Sequence, residues 1–301
     1  MKLTILGSGA STPKINNHTT SQLLKIKNHH ILIDCGEGVQ MQLRKFKINF
    51  SKINYIFISH LHGDHYFGLI GLISTFRLLG RDTDLNIYAP EGLQELINLH
   101  LKLSRSRLTY KIIFHNLKSK SQRIILDNKD FSVKTIPLSH RIYTNGFLFE
   151  EKFKERNIKK SKIKEFDLKI DDIKKIKNGA DFFLQNGKRI KNINFLENPK
   201  NSIRYAFCSD TSYHTNIIEL ISSVECLYHE STFLDSHSDL AKKTMHSTAS
   251  DAAKIARAAN VRKLILGHFS NRYKNQEDFL KEANVHFENV VLAIEGTEFD
   301  I

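Results

Sequence analysis

Hydrophobic and polar positions alternate in short blocks along the first half of the chain. Residues 2–6, 22–26 and 30–33 are Ile- and Leu-rich runs closed by polar or Gly turns, the pattern of β-strands. Residues 54–59 form another such run, and 66–79 read as a helix. A strand at 85–88, a helix from about 92 to 100 and a strand at 131–138 follow. The second half repeats the alternation, with strands at 204–209, 226–229, 263–266 and 290–294. Helices are predicted over the Ala-rich stretch 247–260 and near 277–283. Thr248-x-x-Asp251 is a loose capping box for the first of these. Strands mixed with helices predict a layered α/β architecture.

Residues 151–191 break the pattern. They hold fourteen Lys and Arg against seven Asp and Glu, about half of the chain's net charge of +13. No proline occurs between Pro137 and Pro199. This segment is expected to be an inserted arm outside the core; the alternative is a charged surface helix pair.

Composition narrows the classes. With 41% apolar residues among 301, the chain can bury a sizeable core. The excess of positive charge favours a polyanionic partner, unless the lysines are merely solvated. Cys35, Cys208 and Cys226 form no CxxC pair, which argues against a disulfide framework and for a reducing cytosol. The first apolar run breaks at Gly7, too early for a signal peptide. The longest, 66–80, is interrupted by Arg77 and too short to span a bilayer. A soluble cytoplasmic protein without membrane contact is expected. Gly7 and Gly9 lack the third glycine of a dinucleotide loop, so a tight turn is the better reading.

The dominant chemical signal is Ser59-His60-Leu61-His62-Gly63-Asp64-His65. After a strand, residues i and i+2 point the same way. His60 and His62 are thus expected to close on one metal while Asp64 and His65 turn to a second. Imidazole nitrogen and carboxylate oxygen are typical zinc ligands. One loop cannot complete two shells. Three further predicted strands end just before His140, Asp210 and Gly267-His268, so four strands each deliver a candidate ligand past their C-terminal ends.

These residues, with GSGAST at the start, IDCGEGVQMQL at 33–43, HEST at 229–232, HSTAS at 246–250 and GHFSNRY at 267–273, resemble the metallo-β-lactamase superfamily. Within it they are similar to the ribonuclease Z family of tRNA 3′-processing endonucleases. The resemblance implies an αββα sandwich with an inserted basic arm, and removal of 3′ trailers from precursor tRNA. It implies one zinc on His60, His62 and His140, another on Asp64, His65 and His268, and Asp210 bridging them, with manganese or iron as alternative metals. Asp34 would steady the histidine loop. Asp64 would also take the proton of the attacking water, and His246, partnered by Glu230, would protonate the leaving oxygen. Ser270 and Arg272 are candidate phosphate contacts. The arm would grip the tRNA body, with Lys159, Lys160, Lys174 and Lys175 as candidate contacts, and the protein would be a homodimer. Many relatives carry a Gly/Pro-rich arm tip, whereas this arm has Gly179 and Gly187 and no proline. The alternatives are a small-molecule or cyclic-nucleotide phosphodiesterase or arylsulfatase-like hydrolase with the same two-zinc core, and a non-enzymatic RNA-binding protein on the same fold.

Overall fold

The computed structural model describes residues 1–152, 157–197 and 202–301. The chain divides into two compact units: 1–151 with 203–301, and 152–202.

The larger unit is built on two seven-stranded sheets. In chain order its strands are β1 (Lys2–Gly7), β2 (Ser21–Ile26), β3 (His29–Ile33), β4 (Ile53–Phe57), β5 (Leu85–Pro90), β6 (Ile112–Leu117), β7 (Ile124–Asp127), β8 (Phe131–Pro137) and β9 (Asn145–Glu151). Past the smaller unit, whose two short strands are β10 (Phe182–Phe183) and β11 (Arg189–Ile190), come β12 (Ile203–Cys208), β13 (Cys226–Glu230), β14 (Leu264–Gly267), β15 (Val290–Leu292) and β16 (Glu298–Asp300). One sheet runs β16-β1-β2-β3-β4-β5-β6 and the other β15-β14-β13-β12-β9-β8-β7.

The layering follows from residues that alternate between two apolar environments. In β12, Tyr205 and Phe207 enter the core between the sheets, whereas Ala206 and Cys208 face a second core on the other side. In β3, Ile31 and Ile33 point between the sheets and Leu32 points away. The outer face of the first sheet carries α1 (Val39–Lys45), α3 (Gly68–Leu78) and α4 (Leu93–Leu103), the short α2 (Gly63–Tyr66) lying just before α3. The outer face of the second carries α8 (Ala249–Ala258) and α9 (Glu277–Asn284), preceded by α7 (Ser238–Thr244). Ala249, Ala252, Ala253 and Ala256 are fully buried on α8, so this helix packs closely without large side chains. Its capping box forms as expected, with Asp251 N donating to Thr248 Oγ1 and Thr248 N to Asp251 Oδ2, both at 3.1 Å. The result is the metallo-β-lactamase αββα sandwich.

The expected helix at 66–79 is split at Phe67 into α2 and α3. The strand at 54–59 ends at Phe57, leaving Ile58 and Ser59 to turn the ligand loop. β3 to β6 run parallel, as do β12 to β15, so the C-terminal ends of β4, β12, β13 and β14 present loops together.

The smaller unit corrects the sequence expectation in two ways. It extends to 202, not 191, and it has a core of its own. Ile158, Leu168, Ile176 and Phe195 are buried together, beside α5 (Lys160–Glu165) and α6 (Ile170–Lys177). Phe166, Phe182 and Phe195 meet edge to face at 5.2–6.1 Å. Ile158, Leu168 and Ile176 each stand singly between polar residues, and Phe182 and Phe195 fall in apolar runs of only three and two residues, which hid them in the sequence. Residues 153–156 of the expected arm lie outside the described residues. Lys160, Lys174 and Lys175 are exposed, and Lys159 donates to Asn194 O at 3.3 Å.

Candidate active site

The ligand loop starts from a buried carboxylate. Asp34 follows β3 with φ 53, a left-handed conformation that an Asp tolerates better than most residues. Its Oδ1 accepts from Ser59 N at 2.7 Å, and its Oδ2 accepts from Ser59 Oγ at 2.9 Å and faces His65 Nδ1 at 2.7 Å. Asp34 therefore holds both the start of the loop and one of its histidines, the steadying position implied by the resemblance.

Two groups of donors meet above it. In the first, His62 Nδ1 lies 3.0 Å from His60 Nε2 and 3.2 Å from His140 Nε2. Asp210 Oδ2 stands 3.5 Å from His60 Nε2 and 3.8 Å from His140 Nε2. In the second, Asp64 Oδ2 stands 3.5 Å from His65 Nε2 and 3.4 Å from His268 Nε2. Asp210 Oδ1 lies 3.3 and 3.2 Å from the same two nitrogens. The two oxygens of Asp210 are thus divided between the groups.

The outer ring nitrogens are also occupied. His60 Nδ1 meets Ser59 Oγ at 3.0 Å, His140 Nδ1 meets Met245 O at 2.9 Å, and His268 Nδ1 meets Thr232 Oγ1 at 2.8 Å. These contacts fix ring orientation and turn Nε2 inward. Burial, reinforced by neighbouring His65, pushes the His60 pKa down to about 3, and burial lowers those of His62 and His140 as well. Neutral imidazoles present lone pairs. Burial opposes the charge on Asp210, but His268, His65 and His60 outweigh it and hold the carboxyl well below the usual range.

The donor set fits metal ions. In the first group His62 Nδ1 lies 3.0 and 3.2 Å from two other inward nitrogens and can donate a proton to only one of them, whereas a cation would engage all three lone pairs. In the second, His65 Nε2 is buried without a hydrogen-bond partner, although buried polar atoms are nearly always satisfied. His60, His62, His140 and Asp210 form one set with metal-binding spacing, and Asp64, His65 and His268 another.

His246 stands beside both. Its ring centroid is 5.0 Å from that of His140 and 5.5 Å from that of His268. Its Nδ1 faces Glu230 Oε1 at 2.8 Å. Glu230 is itself buried and clamped: Oε1 accepts from Thr211 N, and Oε2 accepts from Thr232 N and Thr232 Oγ1. Burial works against a charge on His246, but the Glu230 carboxylate and its hydrogen bond prevail and raise the pKa to about 9. Ser270 N donates to Thr232 O at 3.1 Å. Arg272 Nε donates to Ser270 Oγ at 3.2 Å, and its guanidinium lies 5.1 Å from the Phe233 ring centroid, so this cation is exposed but anchored.

His62, Asp64, His140, Asp210, His246 and His268 line an open cleft of about 400 Å³ together with Ser11, Phe67, Arg141 and Thr244, while Ser270 and Arg272 lie outside its lining. Sequence reasoning missed three of its supports. Ser11, with φ 64, donates its backbone N–H to Asp64 Oδ2 at 2.7 Å; the turn after β1 therefore aims a ligand. Arg141 flanks His140 and donates to Lys243 O at 3.2 Å. Met245, with φ 58, supplies the carbonyl that fixes His140. Only the positive charge of Arg141, next to a candidate ligand, was a signal in the sequence.

A family model described as anti-Pycsar protein Apyc1 matches residues 1–154. That span holds His60–His65 and His140 but stops before Asp210, Glu230, His246 and His268. The chain is 44% identical to a ribonuclease Z of Bacteroides fragilis, with 98% of this chain and 97% of the relative aligned. It is 45% identical to a ribonuclease Z of Bacteroides thetaiotaomicron, over 98% and 93%. Among solved structures it is similar to the human short-form tRNase Z, with 27% identity, 100% and 99% coverage and a TM-score of 0.74. Identity at this level along almost the whole of both chains makes this protein a member of the ribonuclease Z family.

Proposed function

We propose that the protein is a zinc-dependent endoribonuclease that removes the 3′ trailer from precursor tRNA. The observation that carries this reading is Asp210, whose two oxygens face two histidine groups while Glu230 backs His246 alongside them. His60, His62 and His140 would hold one zinc, Asp64, His65 and His268 the other, and Asp210 would touch both; manganese or iron suits the same donors. Two such ions, when bound, supply a hydroxide near neutral pH and offset phosphate charge. Asp64 accepts the proton of the attacking water. The water oxygen bonds to phosphorus as the bond from phosphorus to the 3′-oxygen breaks. His246, with Nδ1 held by Glu230, donates a proton to that oxygen. The tRNA keeps a 3′-hydroxyl and the trailer a 5′-phosphate. Arg272 and Ser270 are placed in this reading as phosphate contacts.

The substrate class rests on the likeness to ribonuclease Z and tRNase Z proteins and on the basic smaller unit, whose exposed Lys160, Lys174 and Lys175 suit phosphates without reading sequence. A second reading, hydrolysis of a small or cyclic phosphodiester, draws on the openness of the cleft, which sets no lower limit on substrate size. No helix of the described residues is long and apolar enough to cross a membrane, and Cys35, Cys208 and Cys226 are free and buried. Both support a cytoplasmic setting. The family likeness supports a homodimer; light scattering should give twice the 34.7 kDa of one chain, and a monomer at working concentration would remove that part.

The smaller unit offers the discriminating experiment. Glu151 and Ile203, at its two ends, are register partners in antiparallel β9 and β12, so an Asn-Gly turn can replace residues 152–202 and close a hairpin. This deletion should weaken pre-tRNA cleavage at least about tenfold, while hydrolysis of bis(p-nitrophenyl) phosphate stays near wild type. Equal losses on both substrates would end the arm's proposed role. A wild type that hydrolyses a cyclic nucleotide but ignores pre-tRNA would favour the second reading.

A further inference from the structure

We propose that Phe67 is a stacking platform for the nucleobase beside the scissile phosphate, an inference that rests on the RNA reading above. Phe67 is 60% exposed, yet it lines the same cleft as Asp64, His140, His246 and His268. A lone apolar residue at the surface is ordinary; Phe67 stands apart because it is, among the described residues, the one apolar side chain in a cleft otherwise lined by polar, charged and glycine residues.

The ring is held in place. Phe67 sits at the break between α2 and α3, and its N–H donates to Gly63 O at 2.9 Å. The next residue, Gly68, donates to Cys35 O at 2.9 Å, and a Cβ there would lie 2.2 Å from Gly36 O. The backbone on both sides of Phe67 is therefore fixed against the core. The ring itself lies on the ligand loop: a Cβ at Gly63 would be 2.1 Å from Phe67 Cε2. Tyr66 meets it edge-on at 5.1 Å.

Gly63 lies between His62 and Asp64, one from each donor group. A phosphate engaged by both groups thus sits within one sugar's reach of the ring. Every base has a π-face, so a stack of this kind tolerates any sequence, which suits an enzyme whose substrates share shape more than sequence. The residue before Asp64 is then a glycine for a physical reason, because any side chain there would displace the ring.

The test uses the full-length zinc-loaded protein and a 3′-extended pre-tRNA, intact or with an abasic nucleotide immediately 5′ or 3′ of the cut. Phe67→Ala should raise KM roughly ten- to a hundredfold on the intact substrate, with the loss falling on KM more than on kcat. Phe67→Tyr should restore most of it and Phe67→Leu much less. With the abasic site on the stacked side, Phe67→Ala should have no further effect, whereas on the other side its full penalty should remain. Chelator-treated protein should show the same pattern in pre-tRNA affinity, a readout independent of turnover. An unchanged KM for Phe67→Ala, full rescue by leucine, or equal penalties on all three substrates would overturn the proposal while wild-type cleavage leaves the RNA reading standing. A wild type that does not cut pre-tRNA would overturn both.

Discussion

Replacing Asp210 with alanine should strip metal from both donor groups at once and lower kcat/KM by roughly a thousandfold or more. One side chain controls both because Oδ2 faces His60 and His140, while Oδ1 faces His65 and His268. No other carboxylate among the described donors is shared in this way: Asp64 reaches only the second group. Asp64→Ala is therefore expected to lose metal mainly from the second group. The measurement is metal content per chain after dialysis, alongside hydrolysis of a small phosphodiester. Asp210→Asn keeps the shape without the charge, so it separates packing from coordination. A full metal complement in Asp210→Ala would contradict the bridging role.

The second large effect is expected at His246. His246→Ala should keep its metals and lose about a hundred- to ten-thousandfold in kcat on pre-tRNA, the usual range for removing a general acid. The cause is the poor leaving group, a ribose 3′-oxygen that needs a proton. A nitrophenolate needs none, so the same variant should lose far less on bis(p-nitrophenyl) phosphate. That contrast separates proton donation from mere support of His140 and His268, whose rings lie 5.0 and 5.5 Å away. A structural role would depress both substrates alike. Glu230→Gln is a less clean probe, because Glu230 also accepts from Thr211 N and Thr232 N.

Much of this site was legible from the chain, for a reason rooted in geometry. His60 to His65 fall within six positions after one strand, and His140, Asp210 and His268 each follow another. Short apolar runs closed by polar or Gly turns predicted those strands, so the candidate ligand positions came with them. Asp34, Glu230 and His246 carry no such local mark, and only the family resemblance pointed to them. The contacts that orient the ligands were not legible at all. Ser11 reaches Asp64 across 53 positions, and Met245 O reaches His140 across 105; both rest on positive φ values that no sequence pattern announces. The strands missed in the larger unit were β6, β7, β9 and β16. β7 and β16 are short sheet edges with exposed residues and little apolar periodicity, and β9 opens on Asn145-Gly146, a dipeptide that reads as a turn and not as strand. The smaller unit's core was missed because Ile158, Leu168 and Ile176 each stand between polar neighbours and Phe195 has only Leu196 beside it.

The most direct test of the account is the chemistry of the cut. The zinc-loaded wild type is given a 3′-extended pre-tRNA, and both product ends are mapped. One cut is expected at the end of the mature tRNA body, with a 3′-hydroxyl on the tRNA and a 5′-phosphate on the trailer, because water attacks phosphorus and the 3′-oxygen leaves with a proton from His246. A 3′-phosphate or a 2′,3′-cyclic phosphate on the tRNA, or no cut by a protein that holds both metals, would contradict this expectation.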